Sequence, residues 1–234
     1  MSNRTGAEQI PFALPVDPAL GRDDFLRAGS NALALAAVES PGGLPAGIMV
    51  LIGPEGSGKT HLAHVWVQGV QARWLTAAHL ADDLPAIVAD AGCLAVAIDD
   101  ADQIAGTGGE EALFHLINHL RGRGQLLLTA RQPVRDWGVV LPDLMSRLSA
   151  AAHVALAEPD EALLGAVLVK LFGDRQVRVQ PALIDYLLGR MERSLAAAGA
   201  IVAQLDARAL KLGRPITRAL AQEVLAEAEN DAEG

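Results

Sequence analysis

The chain has 234 residues, 51% hydrophobic and 20% charged, a balance that excludes a disordered or fibrous protein and fits one or two domains with a real core. Nineteen basic against 28 acidic residues give a net charge of −9, which excludes nucleic-acid binding through a broadly basic surface. Cys93, the single cysteine, excludes a disulfide framework and a multi-cysteine zinc site. No apolar run reaches the roughly 18 residues of a membrane span, and polar Met1–Gln9 does not read as a secretory signal, so a reducing cytoplasm is the expected setting.

Residues 1–20 are expected to be an extended tail, because Pro11, Pro15 and Pro18 interrupt any regular element. Helical spacing starts near Phe25 and runs through Leu33, Ala36 and Ala37 to the turn cluster Ser40–Gly43. Ile48–Ile52 is apolar on both faces, the mark of a buried parallel strand. Gly53–Thr60 follows, then Leu62, Ala63, Trp66 and Val70 at helical spacing. Trp74–Thr76 reads as a short strand, and 79–91 as a helix with a possible break at Pro85. Leu94–Ile98 is a further strand, ending at Asp99 and Asp100. Glu110–Arg121 reads as an amphipathic helix with acids at its start and Gly122 as its C-cap. Leu126–Thr129 and Val154–Leu156 bring the strands to about five. Strands alternating with helices predict an α/β fold with a parallel sheet.

After Pro159 the strand pattern ends. Helices are expected at about 160–172, 181–190, 194–212 and 217–228, with Asp160 and Thr217 as N-caps and Gly173 and Gly213 as stops. The expected organisation is a tail over 1–20, an α/β domain over 21–158 and an all-α lid over 159–234.

Gly53, Pro54, Glu55, Gly56, Ser57, Gly58, Lys59 and Thr60 fit the pattern G-x-x-x-x-G-K-[ST] at every fixed position. Gly56 and Gly58 allow backbone angles that turn successive N–H groups toward phosphate oxygens. The next helix begins there, so its positive end faces the same anion, with His61 directly behind the loop. Lys59 would place its charge on the β- and γ-phosphates, and the Thr60 hydroxyl would ligate Mg²⁺. A glycine-rich turn with a chance lysine is the bland alternative; the buried strand before the loop and the amphipathic helix after it weigh against that. Asp99 and Asp100 end a neighbouring strand, at the edge where such sheets bind ligands. Asp99 is the expected Mg²⁺ partner and Asp100 the residue that orients or polarises a water; Asp102 reads as a helix-start acid.

The combination resembles the AAA+ ATPases, within them the DnaA family of replication initiators, and most closely that family's shortened regulatory Hda branch. Asp23–Ala32 resembles the segment placed beside adenine, with Asn31 in it. Ile98–Asp102 resembles the double-aspartate Walker B element, and Leu126–Arg131 the sensor 1 strand. Pro142–Leu148 resembles the arginine-finger box, which makes Arg147 the finger, and Met191–Leu195 resembles the sensor 2 helix start, which makes Arg193 the residue reaching back to the phosphates. The resemblance implies a P-loop NTPase with a five-stranded parallel sheet and an α-helical lid, ATP or ADP with Mg²⁺ as ligand, the initiator DnaA as partner, DNA only indirectly, and possible homo-oligomers. It implies promotion of initiator ATP hydrolysis and negative regulation of replication initiation. Ala130-Arg131 occupies a turn where the initiator usually has an acid, which puts hydrolysis in cis in doubt. Glu8–Pro15 resembles the peptide by which such relatives bind the sliding clamp of the replicative polymerase; Gln9 would hydrogen-bond through its amide, and Ile10, Phe12 and Leu14 would fill an apolar groove.

Other signals carry less. His115 and His119, with Glu111, lack the H-E-x-x-H order of a metal helix and read as a solvated face. Arg121 and Arg123 are too small a basic cluster to indicate DNA binding. His61 and His64 are expected to flank the core, and Cys93, Trp66, Trp74 and Trp137 to pack. Rival functions are a helicase-loader-like ATPase, a P-loop kinase for a small acceptor, and a non-hydrolysing module with ADP as a structural ligand.

Overall fold

The computed structural model describes residues 20–40, 43, 44, 47–106 and 108–232. Gln9, Ile10, Phe12 and Leu14 lie outside the described residues. Along the chain run α1 (Ala32–Val38), β1 (Ile48–Ile52), α2 (Lys59–Val70), β2 (Arg73–Thr76), α3 (Leu80–Ala89), β3 (Ala95–Asp99), α4 (Gly109–Leu120), β4 (Gln125–Ala130), α5 (Pro142–Ser149) and β5 (Ala152–Ala155). Then come α6 (Glu161–Asp174), α7 (Pro181–Leu188), α8 (Leu195–Leu212) and α9 (Arg218–Ala232).

The five strands form one parallel sheet in the order β2-β3-β4-β1-β5. Both faces are covered, which is why these strands are apolar throughout and do not alternate with polar residues. Val50, Val96, Ile98, Leu126 and Leu128 pack toward α3, α4 and α5. Met49, Leu51, Ala97 and Leu127 pack toward α1 and α2, against Phe25, Leu62 and Trp66. A separate apolar cluster joins α6–α9 around Leu168, Phe172, Leu187, Val202 and Leu205. Asp160 caps α6 by accepting from Leu163 N at 2.7 Å, and Ser194 caps α8 by accepting from Ala197 N at 3.0 Å. No helix among the described residues is long and apolar enough to cross a membrane.

Several boundaries move. Helix does not start at Phe25: Arg22–Asp24 is a single 3-10 turn and α1 begins at Ala32. The Asn31 amide accepts from Ala28 N and donates to Leu26 O, both at 2.9 Å, closing a loop that competes with helix. Pro85 sits inside α3 without breaking it; the carbonyl it leaves without a partner, on Ala81, belongs to an exposed residue that water can serve. Gly173 does not stop α6, which runs one residue further, and Gln176 (φ 59°) makes the left-handed turn. Gly213 does cap α8 at a left-handed φ of 60°; at α4 the C-cap is Arg121, and Gly122 (φ 74°) makes the turn just after it.

Phe172 is fully buried in the helical cluster. Phe172→Ala is expected to lower unfolding free energy by about 3–5 kcal/mol in denaturant titration, through lost apolar burial and the cavity left behind.

Candidate phosphate-binding site

The loop between β1 and α2 turns at Gly56 (φ 69°) and Gly58 (φ 96°), left-handed angles that side-chain-bearing residues rarely adopt. At Gly56 a second constraint applies. A Cβ there would lie 2.4 Å from Ser194 Cβ, because the start of α8 abuts the loop and Leu195 N donates to Gly56 O at 2.8 Å. The helical part of the chain thus touches the loop through backbone.

Behind the loop, Thr60 Oγ1 donates to Asp99 Oδ2 at 3.0 Å and lies 3.3 Å from Oδ1. Asp99, at the end of β3, also accepts from the Thr129 hydroxyl of β4, and that hydroxyl accepts from Asp100 N at 3.0 Å. Thr129 is the buried link of the group. Reading the chain alone assigned it no role, although a threonine in the apolar run Leu126–Ala130 was the available signal. Asp100 sits at φ 51°, a strained angle for a non-glycine residue. Burial, and then the neighbouring Asp99 charge, raise its carboxyl above the usual range. Lys59 is buried, with Nζ donating to Pro54 O at 2.8 Å; burial lowers its pKa, against an opposing pull from Asp100.

A cleft of about 720 Å³ runs from this loop between Phe25, Leu26 and Asn31 on one side and Leu163, Val167 and Leu195 on the other. Asn31 lines it, but with both amide ends engaged in its own loop it shapes the wall. His61 lines it too, its Nε2 3.1 Å from Gly21 O and its ring edge-on to Phe25. Lys170 of α6 bridges the two sides, donating to Asp24 at 2.7 Å and to Asp174 at 2.8 Å; its hydrogen bond holds the Asp24 carboxyl below the usual range. The chain alone marked neither Lys170 nor this pairing.

Three arginines need separate statements. Arg131 lies at the mouth of the loop, pairing with Glu55 Oε2 at 2.6 Å and standing 4.0 Å from Asp100 Oδ1; Asp102 holds its backbone N at 2.9 Å, so Asp102 positions Arg131 as well as its own turn. Arg193 is exposed, its guanidinium 3.6 Å from Glu161 of α6, and it does not line the cleft. Arg147 stacks over the Phe114 ring at 4.8 Å and also does not line the cleft. The loop before its helix is pinned by buried Glu110, whose Oε2 accepts from Val140 N at 2.9 Å and Leu141 N at 3.0 Å.

The remaining signals fall as packing. Arg123 caps α4 through His119 O at 2.7 Å, which engages His119, and no group of three His, Cys, Asp or Glu among the described residues could hold a metal. Cys93, Trp66 and Trp137 are buried, and Trp74 stacks on His64. Chemically, the loop N–H groups and Lys59 can grip a polyphosphate. Thr60 and Asp99 are two hard oxygen donors of the kind Mg²⁺ takes together with phosphate oxygens and water.

No family model matches the chain. Among solved structures, it is similar to domain III of the replication initiation protein DnaA from Thermotoga maritima, at 19% identity and a TM-score of 0.77, covering 92% of this chain and 98% of that one. AMPPCP-bound DnaA from Aquifex aeolicus is similar at 19% identity and TM-score 0.70, covering 92% and 71%. The RuvB Holliday junction branch migration motor of Thermotoga maritima follows at 18% and 0.62, covering 83% and 65%. The chain shares the α/β fold of these structures, a five-stranded parallel sheet flanked by helices with a glycine-rich loop after β1.

Two outcomes are expected. Gly56→Ala strains the backbone and collides with Ser194, lowering unfolding free energy by about 1–3 kcal/mol, and Ser194→Gly added to it restores only the steric part. Burial holds the His61 imidazole below its usual value of 6.5, so the unfolded chain takes up this proton first as pH falls. Stability associated with neutral His61 is present above that value and lost as pH falls below it. Thermal midpoints measured from pH 7.5 to 5.5 should therefore fall less in His61→Gln than in the parent chain, with His64, lowered for the same reason, keeping some slope.

Proposed function

We propose that the chain is a nucleotide-dependent AAA+ regulator of the DnaA/Hda type. ATP or ADP occupies the cleft, with its phosphates on Gly53–Thr60 and its base side near Phe25–Asn31. Thr60 and Asp99 would hold Mg²⁺, which would supply positive charge beside the phosphate oxygens. Asp100 is the residue for orienting a water. The cation of Arg131, paired with Glu55 and beside Asp100, supports a weak or partner-dependent hydrolysis in cis.

The observation that carries the regulatory reading is the place of Arg147. It does not line the chain's own cleft and is held on a pinned helix against Phe114. An arginine so placed suits a nucleotide on another molecule, where a guanidinium stabilises charge developing in trans. The DnaA-like fold supports the initiator as that molecule. In this reading the chain docks on the DNA-loaded sliding clamp through Gln9, Ile10, Phe12 and Leu14, promotes hydrolysis of initiator-bound ATP and so restrains replication initiation. DNA is engaged only through the clamp. Arg193 exchanges Glu161 for phosphate when the lid closes.

Calorimetry with adenine nucleotide should show a binding event at the loop that Lys59→Ala removes; no heat from the parent chain overturns the nucleotide reading. With clamp, DNA and ATP-loaded initiator, Arg147→Ala should slow initiator ATP hydrolysis at least tenfold, and an unchanged rate removes the finger. A clamp pull-down should weaken with Gln9→Ala. Partner binding that survives deletion of residues 1–14 favours the helicase-loader alternative.

A further inference from the structure

A second cavity, of about 610 Å³, lies at the opposite edge of the sheet, where β1 and β4 begin. It opens between the end of α4, the turn Arg121–Gly124 and the turn from α5 into β5. Its floor is apolar, made by Ile48, Ile117, Leu120 and Leu126, and its rim carries Arg121, Arg123 and Arg147. No acidic residue lines it, and among the described residues none of the three arginines forms an ion pair.

Two of the three guanidiniums are held in place. Arg147 holds its guanidinium carbon over the Phe114 ring, 4.8 Å from the centroid, and lines the cavity. Arg123 is anchored by Nε on His119 O at 2.7 Å and reaches the His119 ring. Three permanent cations around one mouth repel one another unless a ligand brings several negative charges into a small volume. A carboxylate brings one. A di- or triphosphate brings several, on oxygens that match the guanidinium fork, and the apolar floor can take the face of a sugar or base. The volume is in the range of small-molecule sites.

We propose that this cavity is a second polyphosphate site, taking the tail of a nucleoside di- or triphosphate on Arg121, Arg123 and Arg147. It rests on the role given to Arg147 above; Arg121 and Arg123 are its new members. The nucleotide is either free or already seated in the phosphate loop of another copy of this chain.

The test uses full-length chains. In one arm, Lys59→Ala, which disables the phosphate loop, is titrated with a fluorescent ADP analogue, and Arg121→Ser/Arg123→Ser is then added to it. In the other arm, Lys59→Ala is mixed with an ATP-loaded Arg121→Ser/Arg123→Ser chain, so that only the arginines of the first copy can meet the nucleotide of the second. Sedimentation reads their association. Loss of affinity by about tenfold or more on removing Arg121 and Arg123 of the first copy is expected in one arm, given charge-assisted bidentate contacts. The first arm identifies a free nucleotide and the second a seated one. Arg121→Lys/Arg123→Lys, which keeps charge and loses the fork, should fall between. If neither arm depends on Arg121 and Arg123 in chains with unchanged melting curves, the proposal is overturned. Arg147 is intact in every variant here, so that result leaves the hydrolysis test of Arg147→Ala untouched.

Discussion

The candidate site depends on one carboxylate shared between two hydroxyls. Asp99 ends β3, and Thr60 lies in the first turn of α2, after the loop that follows β1; β4 lies between the two strands. Asp99 spans that gap, accepting from Thr60 and from Thr129 of the intervening strand. The Thr129 hydroxyl in turn takes the N–H of Asp100 and so stabilises the left-handed turn there. In a buried setting each of these hydrogen bonds matters chiefly because leaving a partner unpaired is expensive. Loop, the aspartates that end β3 and the middle strand are therefore one polar unit enclosed by the two apolar layers of the sheet.

The second organising contact is between loop and C-terminal helices. Leu195 N donates to Gly56 O, and Ser194 occupies the space that a side chain at residue 56 would need. Lys170 adds a polar tie between α6 and the segment before α1. A change in the backbone of that loop would thus be felt at the start of α8 through main-chain contact.

Charge is distributed unevenly. At the carboxyl edge of the sheet, acids and bases are matched: Glu55 and Asp100 with Arg131, Asp24 and Asp174 with Lys170. At the amino edge, Arg121, Arg123 and Arg147 have no acidic neighbour in their cavity. The two edges offer opposite chemistry, one built around a lysine and carboxylates, the other around guanidiniums alone.

Local patterns determined a good deal. Five apolar residues before a glycine-rich loop and an amphipathic run after it specify strand, turn and helix, because each follows from nearest-neighbour geometry and burial. The strand ends at Asp99 and Asp100 and the caps Asp160 and Gly213 were legible for the same reason. Where a side chain spends its hydrogen bonds was not. Asn31 closes its own loop, Arg193 pairs with Glu161, and Arg131 bridges Glu55 and Asp100, all through partners that depend on how segments meet. Thr129 could be placed on a strand from the chain alone. Its role between Asp99 and Asp100 was decided only by tertiary structure, because strand order, which sets β4 between β1 and β3, is a long-range property that no local pattern encodes.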